Sequence, residues 1–192
     1  MNHSRGVLAV FTIGIIGLLA FVTPTASRKL MVDKTKSVMS YTMHHPMHTW
    51  DGVSREIQSV LVYNDATDRI EAVAVATKIA SFDSQNANRD SHAMEILDAI
   101  KYPRVTFSST GIEQTSDKLK IRGNLTFHGV TKAIEFEAVR ADKAGQLLAT
   151  GEFSIKMSDY NIERPSLMMV PTDESFLVKF SLFYNKTTSV NQ

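Results

Sequence analysis

The sequence predicts an all-β domain of about eight antiparallel strands, arranged as a sandwich or a closed barrel. The clearest observation is the segment from Gly123 to Val139, where apolar and polar residues alternate on both sides of a turn at Gly129–Lys132. Alternation with a period of two indicates a half-buried hairpin with one face in a core. Similar segments recur along the chain with turn-forming residues between them, which is typical of sandwiches and barrels.

The predicted strands are short and regularly spaced, and each carries this alternation. They are Val38–Met43, Arg55–Tyr63, Arg69–Thr77, Arg104–Ile112, Lys118–Phe127, Ala133–Val139, Leu147–Met157 and Phe176–Tyr184. The segment Arg89 to Pro103 interrupts them with apolar residues at helical spacing. Asp90 or Ser91 is a suitable N-cap and Pro103 closes the segment, so we predict one short helix around residues 90–101.

A second irregular segment runs from Ser158 to Glu174. It contains two prolines and the pair Met168–Met169, and it has no clear period. We expect a loop whose apolar side chains are buried in the core, because exposed Met and Leu on a loop are costly. The alternative is a flexible lip that contacts lipid, since methionine adapts to irregular apolar shapes.

The N-terminus predicts an export signal. Arg5 precedes an uncharged apolar run from Val7 to Val22, and small residues follow up to residue 27. This order is typical of a cleaved signal peptide. Arg28 and Lys29 directly downstream leave an uncleaved N-terminal membrane anchor as the alternative. We therefore divide the chain into a signal peptide (1–27), a tether (28–36), one barrel domain (37–186) and a C-terminal tail (187–192).

Composition excludes several classes of partner and site. The chain has no cysteine, which rules out disulfides, thiolate metal sites and a lipid-modified N-terminal cysteine. Arg5 is the only charged residue in 1–27, so 20 basic side chains remain against the 20 acidic ones. No basic patch stands out in this neutral domain, and we expect no binding of nucleic acid.

No catalytic signature is present. The chain contains no Gly-x-Ser-x-Gly elbow, no P-loop and no GxGxxG motif, and it has no cysteine nucleophile. Pairs of carboxylates occur by chance in a chain with this many acidic residues. We therefore expect the protein not to be an enzyme.

One histidine cluster raises a metal hypothesis. His44, His45 and His48 lie beside Met43 and Met47, and imidazole and thioether groups suit copper or zinc. Neighbouring residues on a strand point to opposite faces, although His44 and His48 would converge across a bend at position 46. We expect a polar cluster at the barrel rim and no metal site.

The aromatic alternation carries more weight. Seven aromatic residues lie on the apolar faces of predicted strands or close to one: Phe107, Phe127, Phe136, Phe153, Tyr160, Phe176 and Phe180. In a barrel of about eight strands, inward residues either fill the interior or surround one apolar ligand. Four small residues share the apolar parity and favour a hollow interior: Gly111, Gly123, Ala149 and Gly151. Trp50, the only tryptophan, is a core anchor or the wall of such a cavity.

Three segments in this order resemble the YceI-like family. They are GNLTFHGVTKAIEF, NRDSHAMEILDAIKYPRVTFSST and FSIKMSDYNIERP, and the resemblance covers about residues 37–185. Two positions depart from the family pattern: Leu97-Asp98 stands where Phe-Asp is usual, and Lys156-Met157 where an arginine is common.

The resemblance implies a lipocalin-like antiparallel barrel whose long apolar cavity holds an isoprenoid tail, with no catalytic residue, metal or cofactor. It also implies a periplasmic or secreted location. We predict ten cavity-lining residues: Trp50, Phe107, Ile121, Leu125, Phe127, Ile134, Phe136, Phe153, Ile155 and Phe180. Arg89 and Asp90 resemble the family's Arg-Asp pair, which either caps the helix or contacts the head group of a ligand.

These predictions together describe an exported protein that binds a polyisoprenoid or other long-chain lipid for transport, storage or sequestration. Contact with a membrane would allow ligand exchange, and a homodimer is one option for the oligomeric state. Two alternatives stay open at this point: a barrel with a packed interior that binds a partner through its loops, or one that handles metal through His44 and His48.

Overall fold

The computed structural model describes residues 27–186. The predicted C-terminal tail and, apart from Ser27, the predicted signal peptide lie outside these residues. Twelve strands and one α-helix make up the described fold. The strands are β1 (Ser27–Met31), β2 (Val38–His45), β3 (His48–Ser54), β4 (Ile57–Asn64), β5 (Arg69–Lys78), β6 (Arg104–Thr115), β7 (Lys118–Phe127), β8 (Val130–Lys143), β9 (Gln146–Lys156), β10 (Ser166–Leu167), β11 (Val170–Pro171) and β12 (Ser175–Asn185).

Ten of these strands form one antiparallel sheet in the order β1-β4-β5-β6-β7-β8-β9-β12-β2-β3, and β10 with β11 forms a separate small hairpin. The sheet curls until its first edge meets β12. Val32, just beyond β1, forms an isolated bridge with Tyr184, and the amide of Asp33 donates to the carbonyl of Phe183 at 2.7 Å. The all-β antiparallel barrel class is thus confirmed, with ten strands in its sheet where about eight were expected.

Two strands of the large sheet, β1 and β3, were not predicted, nor was the separate β10–β11 hairpin. The β2–β3 hairpin turns at Pro46-Met47, with His45 opposite His48, so the proline ends one strand and the next begins at once. The predicted tether over 28–36 is wrong at its start, because β1 pairs with β4 over its whole length. Leu30 is buried there, and the guanidinium of Arg28 bonds both carboxylate oxygens of Asp65.

The single helix α1 (Ala87–Ile96) begins earlier and ends earlier than predicted. Asn86 is the N-cap, and its side chain accepts a hydrogen bond from the amide of Arg89 at 3.1 Å. Asp90 lies inside the first turn, where its carboxylate accepts from the amide of Ser84. Within residues 27–186, no helix has the length and apolar character needed to cross a membrane.

The segment between β9 and β12 starts with a 3₁₀ turn, Met157–Tyr160, and continues into the β10–β11 hairpin. Met157 and Tyr160 are buried, but Met168 and Met169 at the hairpin tip are 80% and 96% exposed. The expected burial of this methionine pair is therefore wrong.

The barrel has two different ends. The base carries the β4–β5, β6–β7 and β8–β9 turns, and the mouth carries α1, the β2–β3 and β7–β8 turns and the segment between β9 and β12. One apolar cluster, including Leu61, Leu147 and Tyr184, packs towards the base. A second, including Phe127 and Tyr160, packs towards the mouth.

Candidate functional site

The inward side chains of the barrel leave a cavity of about 730 Å³. It extends from Tyr184 near the base to a mouth bounded by α1 and by the segment Pro165–Leu167. This volume lies within the range of about 300–1,000 Å³ found for small-molecule pockets. Since the interior is hollow, the alternatives that assumed a packed barrel are wrong on that point.

A group of phenylalanine rings forms the middle of the cavity wall. Phe136 stacks on Phe153 with the ring centroids 4.8 Å apart. Its centroid lies 5.4 Å from that of Phe107 in a tilted arrangement and 5.9 Å from that of Phe180 in an edge-on one. Such arrangements are favourable for aromatic rings and keep them in defined positions. The four rings come from strands β8, β9, β6 and β12, so they connect the wall across five neighbouring strands, from β6 to β12.

Two of the predicted small residues have a different role from the one expected. The ring of Phe107 lies where a side chain on Gly123 would project, and the ring of Phe180 lies 2.7 Å from the place of a Cβ on Gly151. These glycines therefore let the rings lie flat against the wall. Gly111 faces outward, because a bulge between Ser109 and Gly111 shifts the register and places it opposite Arg122.

All of the predicted cavity-lining residues except Ile134 line the cavity. Ile134 is half-buried and packs against the cluster on the mouth side, opposite Gly123 on β7. The others come from the inward parity of their strands, which is why sequence alone located them. Their contact with a ligand stays a prediction.

Sequence reasoning missed several lining residues that share this inward parity or face inward from α1. They include Met39, Tyr41, Met43, Val73, Val75, Met94, Leu97, Val178 and Leu182. On β2, the alternation of Met39, Tyr41 and Met43 with Ser40 and Thr42 is the signal that could locate them. Burial raises the pKa of the Tyr41 hydroxyl, which keeps the group uncharged inside the barrel.

Polar groups collect at the mouth. The guanidinium of Arg89 lies over the Trp50 ring, 4.8 Å from its centroid. The His48 ring lies between the rings of Trp50 and His45 and contacts both. All four side chains border the cavity. Asp90, in contrast, accepts a hydrogen bond from the backbone amide of Ser84. Of the predicted Arg89–Asp90 pair, Asp90 therefore has a structural role, and Arg89 places a positive charge at the opening.

The histidines do not converge as the metal hypothesis required. His44 lies on the outer face, where its Nδ1 is 3.1 Å from the carboxylate of Asp173. His45 is buried, accepts from the amide of Met47 at Nδ1 and donates from Nε2 to the carbonyl of Val170. Within 27–186, no group of three or more His, Cys, Asp or Glu side chains could hold a metal ion.

The base of the barrel is closed by charged groups. The Arg140 side chain is only 4% exposed and donates at 2.6 and 2.8 Å to Asp68 and Asp142. It also donates to the Asp68 carbonyl, and Tyr63 lies beneath it while bonding Asp68. Burial opposes the charge on Arg140, but its bonds to the two carboxylates prevail and raise its pKa.

The carboxylate side of this network shows the opposite effect. The bonds from Arg140 and Tyr63 lower the pKa of Asp68, which stabilises its charged form. Lys186 completes the network at 2.7 Å from Asp142. The base is therefore held by fixed, mutually compensating charges.

Just above this network, Tyr184 forms the floor of the cavity. Its hydroxyl is 2.7 Å from the Ser59 hydroxyl, which itself donates to the carbonyl of Ala74. Tyr184 must therefore donate to Ser59. Burial is the main influence on this phenol and raises its pKa to about 12.

Comparison with known proteins places this architecture in a family. Residues 30–183 match the family described as YceI-like domain. The chain belongs to the YceI-like family. Protein YceI from Salmonella newport is 30% identical over 156 residues, which span 75% of this chain and 82% of that protein. Protein YceI from Salmonella arizonae gives the same identity and coverage.

Solved structures of YceI-like and related proteins share the fold. BcnA from Burkholderia cenocepacia aligns with a TM-score of 0.71 at 21% identity, covering 79% of this chain and 98% of that one. The YceI protein of Campylobacter jejuni aligns with a TM-score of 0.63 at 24% identity, covering 71% and 85%. A polyisoprenoid binding domain from Saccharophagus degradans aligns with a TM-score of 0.64 at 14% identity, covering 81% and 97%. At these identities the likeness concerns the fold alone.

Proposed function

We propose that this YceI-like chain is an exported binding protein, not an enzyme, that holds a long apolar ligand of the isoprenoid type inside its barrel. The observation that carries the proposal is the cavity, whose walls from Tyr184 to the mouth consist mainly of aromatic and aliphatic side chains. The related fold of a polyisoprenoid binding domain supports the choice of ligand class.

Apolar burial alone supplies enough affinity for such a ligand. Each buried methylene contributes roughly 0.8 kcal/mol, so about ten of them give roughly 8 kcal/mol. That value corresponds to a dissociation constant of about 1 μM before the costs of ordering the ligand are subtracted. A carrier of this kind therefore needs no dense set of polar contacts.

The polar head of the ligand would remain at the mouth. Arg89, held over Trp50, is the one arginine or lysine among the described residues that line the cavity, and we propose that it contacts the head group. The chemistry of the site suits carriage or storage, because an enclosed isoprenoid tail is kept from water and from other membranes.

The first test is native mass spectrometry of protein exported and purified without detergent, followed by solvent extraction of whatever is bound. We expect one isoprenoid or other long-chain lipid per chain. A protein mass without ligand, together with no uptake of an added prenol, would contradict the proposal.

A pair of variants on β5 tests whether the cavity is the site. Val75 faces the cavity and Ala74 faces outward on the same strand. Val75→Phe fills part of the cavity, so we expect it to weaken binding of a dansyl-labelled prenol by about tenfold or more, the factor that roughly 1.4 kcal/mol produces. Ala74→Phe is the matched control and should bind like the parent protein; equal binding by both variants would place the ligand elsewhere.

A further inference from the structure

The tip of the β10–β11 hairpin has an unfavourable backbone conformation for the residues that occupy it. Three two-residue turns within residues 27–186 have positive φ at both positions: His128-Gly129, Ala144-Gly145 and Met168-Met169. The first two place glycine second, as such turns favour. The third has methionine at both positions, with φ of 51° and 66°. Side chains in this region are held at a cost, and such strain is concentrated at functional sites.

The same two methionines face solvent. They form the centre of an apolar rim, which we define as Met47, Leu167, Met168, Met169 and Val170; all five side chains are at least 40% exposed. The buried imidazole of His45 joins the two parts of the rim, since it bonds the amide of Met47 and the carbonyl of Val170. Exposed apolar groups clustered in this way mark an interaction surface.

The rim is continuous with the cavity. Leu167 lines the cavity and is also 46% exposed, and Pro165 and Ser166 beside it border the mouth. An apolar path therefore leads from the exposed tip to the interior. The connection after α1, at the same end of the barrel, adds Ile100, which is 96% exposed.

The distribution of charged residues favours a lipid surface as the binding partner of the apolar rim. No charged side chain occurs between Ser166 and Thr172, so this stretch could enter a bilayer interface without burying a charge. A protein partner would have no need of the path into the cavity, whereas an apolar ligand moving between a membrane and the barrel would. The geometry points to the apolar rim as a membrane-docking surface: its two methionine side chains enter the lipid interface and hold the cavity mouth against the bilayer. Its role in ligand exchange rests on the proposed function.

The absence of cysteine allows a site-specific test on the full chain. Ser166→Cys carries a nitrobenzoxadiazole fluorophore next to the rim, and Ser116→Cys carries it in the β6–β7 turn at the base. Both proteins have the same N-terminus, so any contribution from it is common to both. With phosphatidylcholine vesicles, we expect a rise in emission from the label at 166 and none from the label at 116.

The decisive variant replaces the tip by Met168→Asn with Met169→Gly. Asn-Gly is the sequence that a turn with two positive φ values prefers, so the hairpin should keep its shape. We expect the lipid-dependent emission to require about tenfold more vesicle, the order expected for loss of two apolar side chains from the interface. The matched control, Met168→Leu with Met169→Leu, should retain the response.

Four outcomes would overturn docking: equal signals from both labels, a signal unchanged by the Asn-Gly variant, a signal that needs anionic lipid and disappears in high salt, or a signal that depends on protein concentration without vesicles. The last would identify the rim as a contact between two copies of the chain. Retention of a dansyl-labelled prenol loaded from detergent is measured in parallel. Docking without retention would refute the proposed function alone, and retention without docking would refute this inference alone.

Discussion

The base and the mouth of this barrel are built by opposite means. At the base, Arg140, Asp68, Asp142 and Lys186 form a network over the Tyr63 ring, and each buried charge has a partner. At the mouth, the cation of Arg89 lies on an aromatic ring and the hairpin tip exposes methionines. One end is thus held together by paired charges, whereas the other leaves an opening lined mainly by apolar side chains.

Disruption of the charge network at the base should reduce stability the most. Arg140→Met removes one partner of a buried network and leaves Asp68 and Asp142 without it, so we expect unfolding free energy to fall by about 3 kcal/mol. Urea unfolding measures this loss. Arg122→Met is the control, because that arginine bonds Glu113 and Glu135 on the exposed face, where solvent screens the ion pairs, so its replacement should cost far less than that of Arg140. Equal losses would show that burial of Arg140 adds nothing to stability.

Alkaline pH should reduce the free energy of unfolding by a somewhat smaller amount, through ionisation of Tyr184 at the cavity floor. The pKa of Tyr184 is raised to about 12 in the folded state, so its contribution to stability is present below pH 10 and is lost between pH 10 and about 12. Two pKa units correspond to roughly 2.7 kcal/mol. Unfolding should be compared at neutral pH and across this range.

Tyr184→Phe provides the control for that titration. It loses the hydrogen bond to Ser59, at a cost of about 1 kcal/mol at neutral pH. It cannot ionise, so its stability should decline less above pH 10 than that of the parent protein. Parallel declines would mean that Tyr184 titrates as it does in the unfolded chain.

A substitution at the mouth should have the smallest effect on global stability. His45→Phe keeps a ring in place but removes the bonds to Met47 and Val170, both near solvent, so global stability should change by only about 1 kcal/mol. Hydrogen exchange should reveal a local effect, with the amides of Thr172 and Asp173 exchanging faster and those of β7 unchanged. A uniform change along the chain would argue that the two ends are not independent.

Sequence alone could predict the class of fold and most of the cavity wall. On β7, Leu119, Ile121, Leu125 and Phe127 all proved buried, because a period of two fixes which face each residue occupies. The same period could not distinguish a hollow barrel from a packed one, since both use these side chains. Only the positions of the opposite walls decide that question.

The features that sequence could not predict have different physical causes. Five residues of β1 are too few for a clear pattern, and their strand exists because β4 offers an edge. Gly111 faces outward because a β-bulge shifts the register of β6, and no residue type in the sequence indicates that bulge. The Met168-Met169 turn carries neither of the usual turn residues, so its exposure could not be foreseen from the sequence.

Strand β12 changes its neighbour part-way along the barrel. Its first part pairs with β2 up to Ser181, and its last part meets the chain just beyond β1 at Tyr184. The wall therefore has a discontinuity at this point. The β2–β3 hairpin pairs with β12 through β2, and its outer strand β3 forms an isolated bridge between Val53 and Asp83. Because two backbone hydrogen bonds between Val53 and Asp83 tie that outer strand to the chain, detaching the hairpin there would break far fewer bonds than separating two full-length strands near the base.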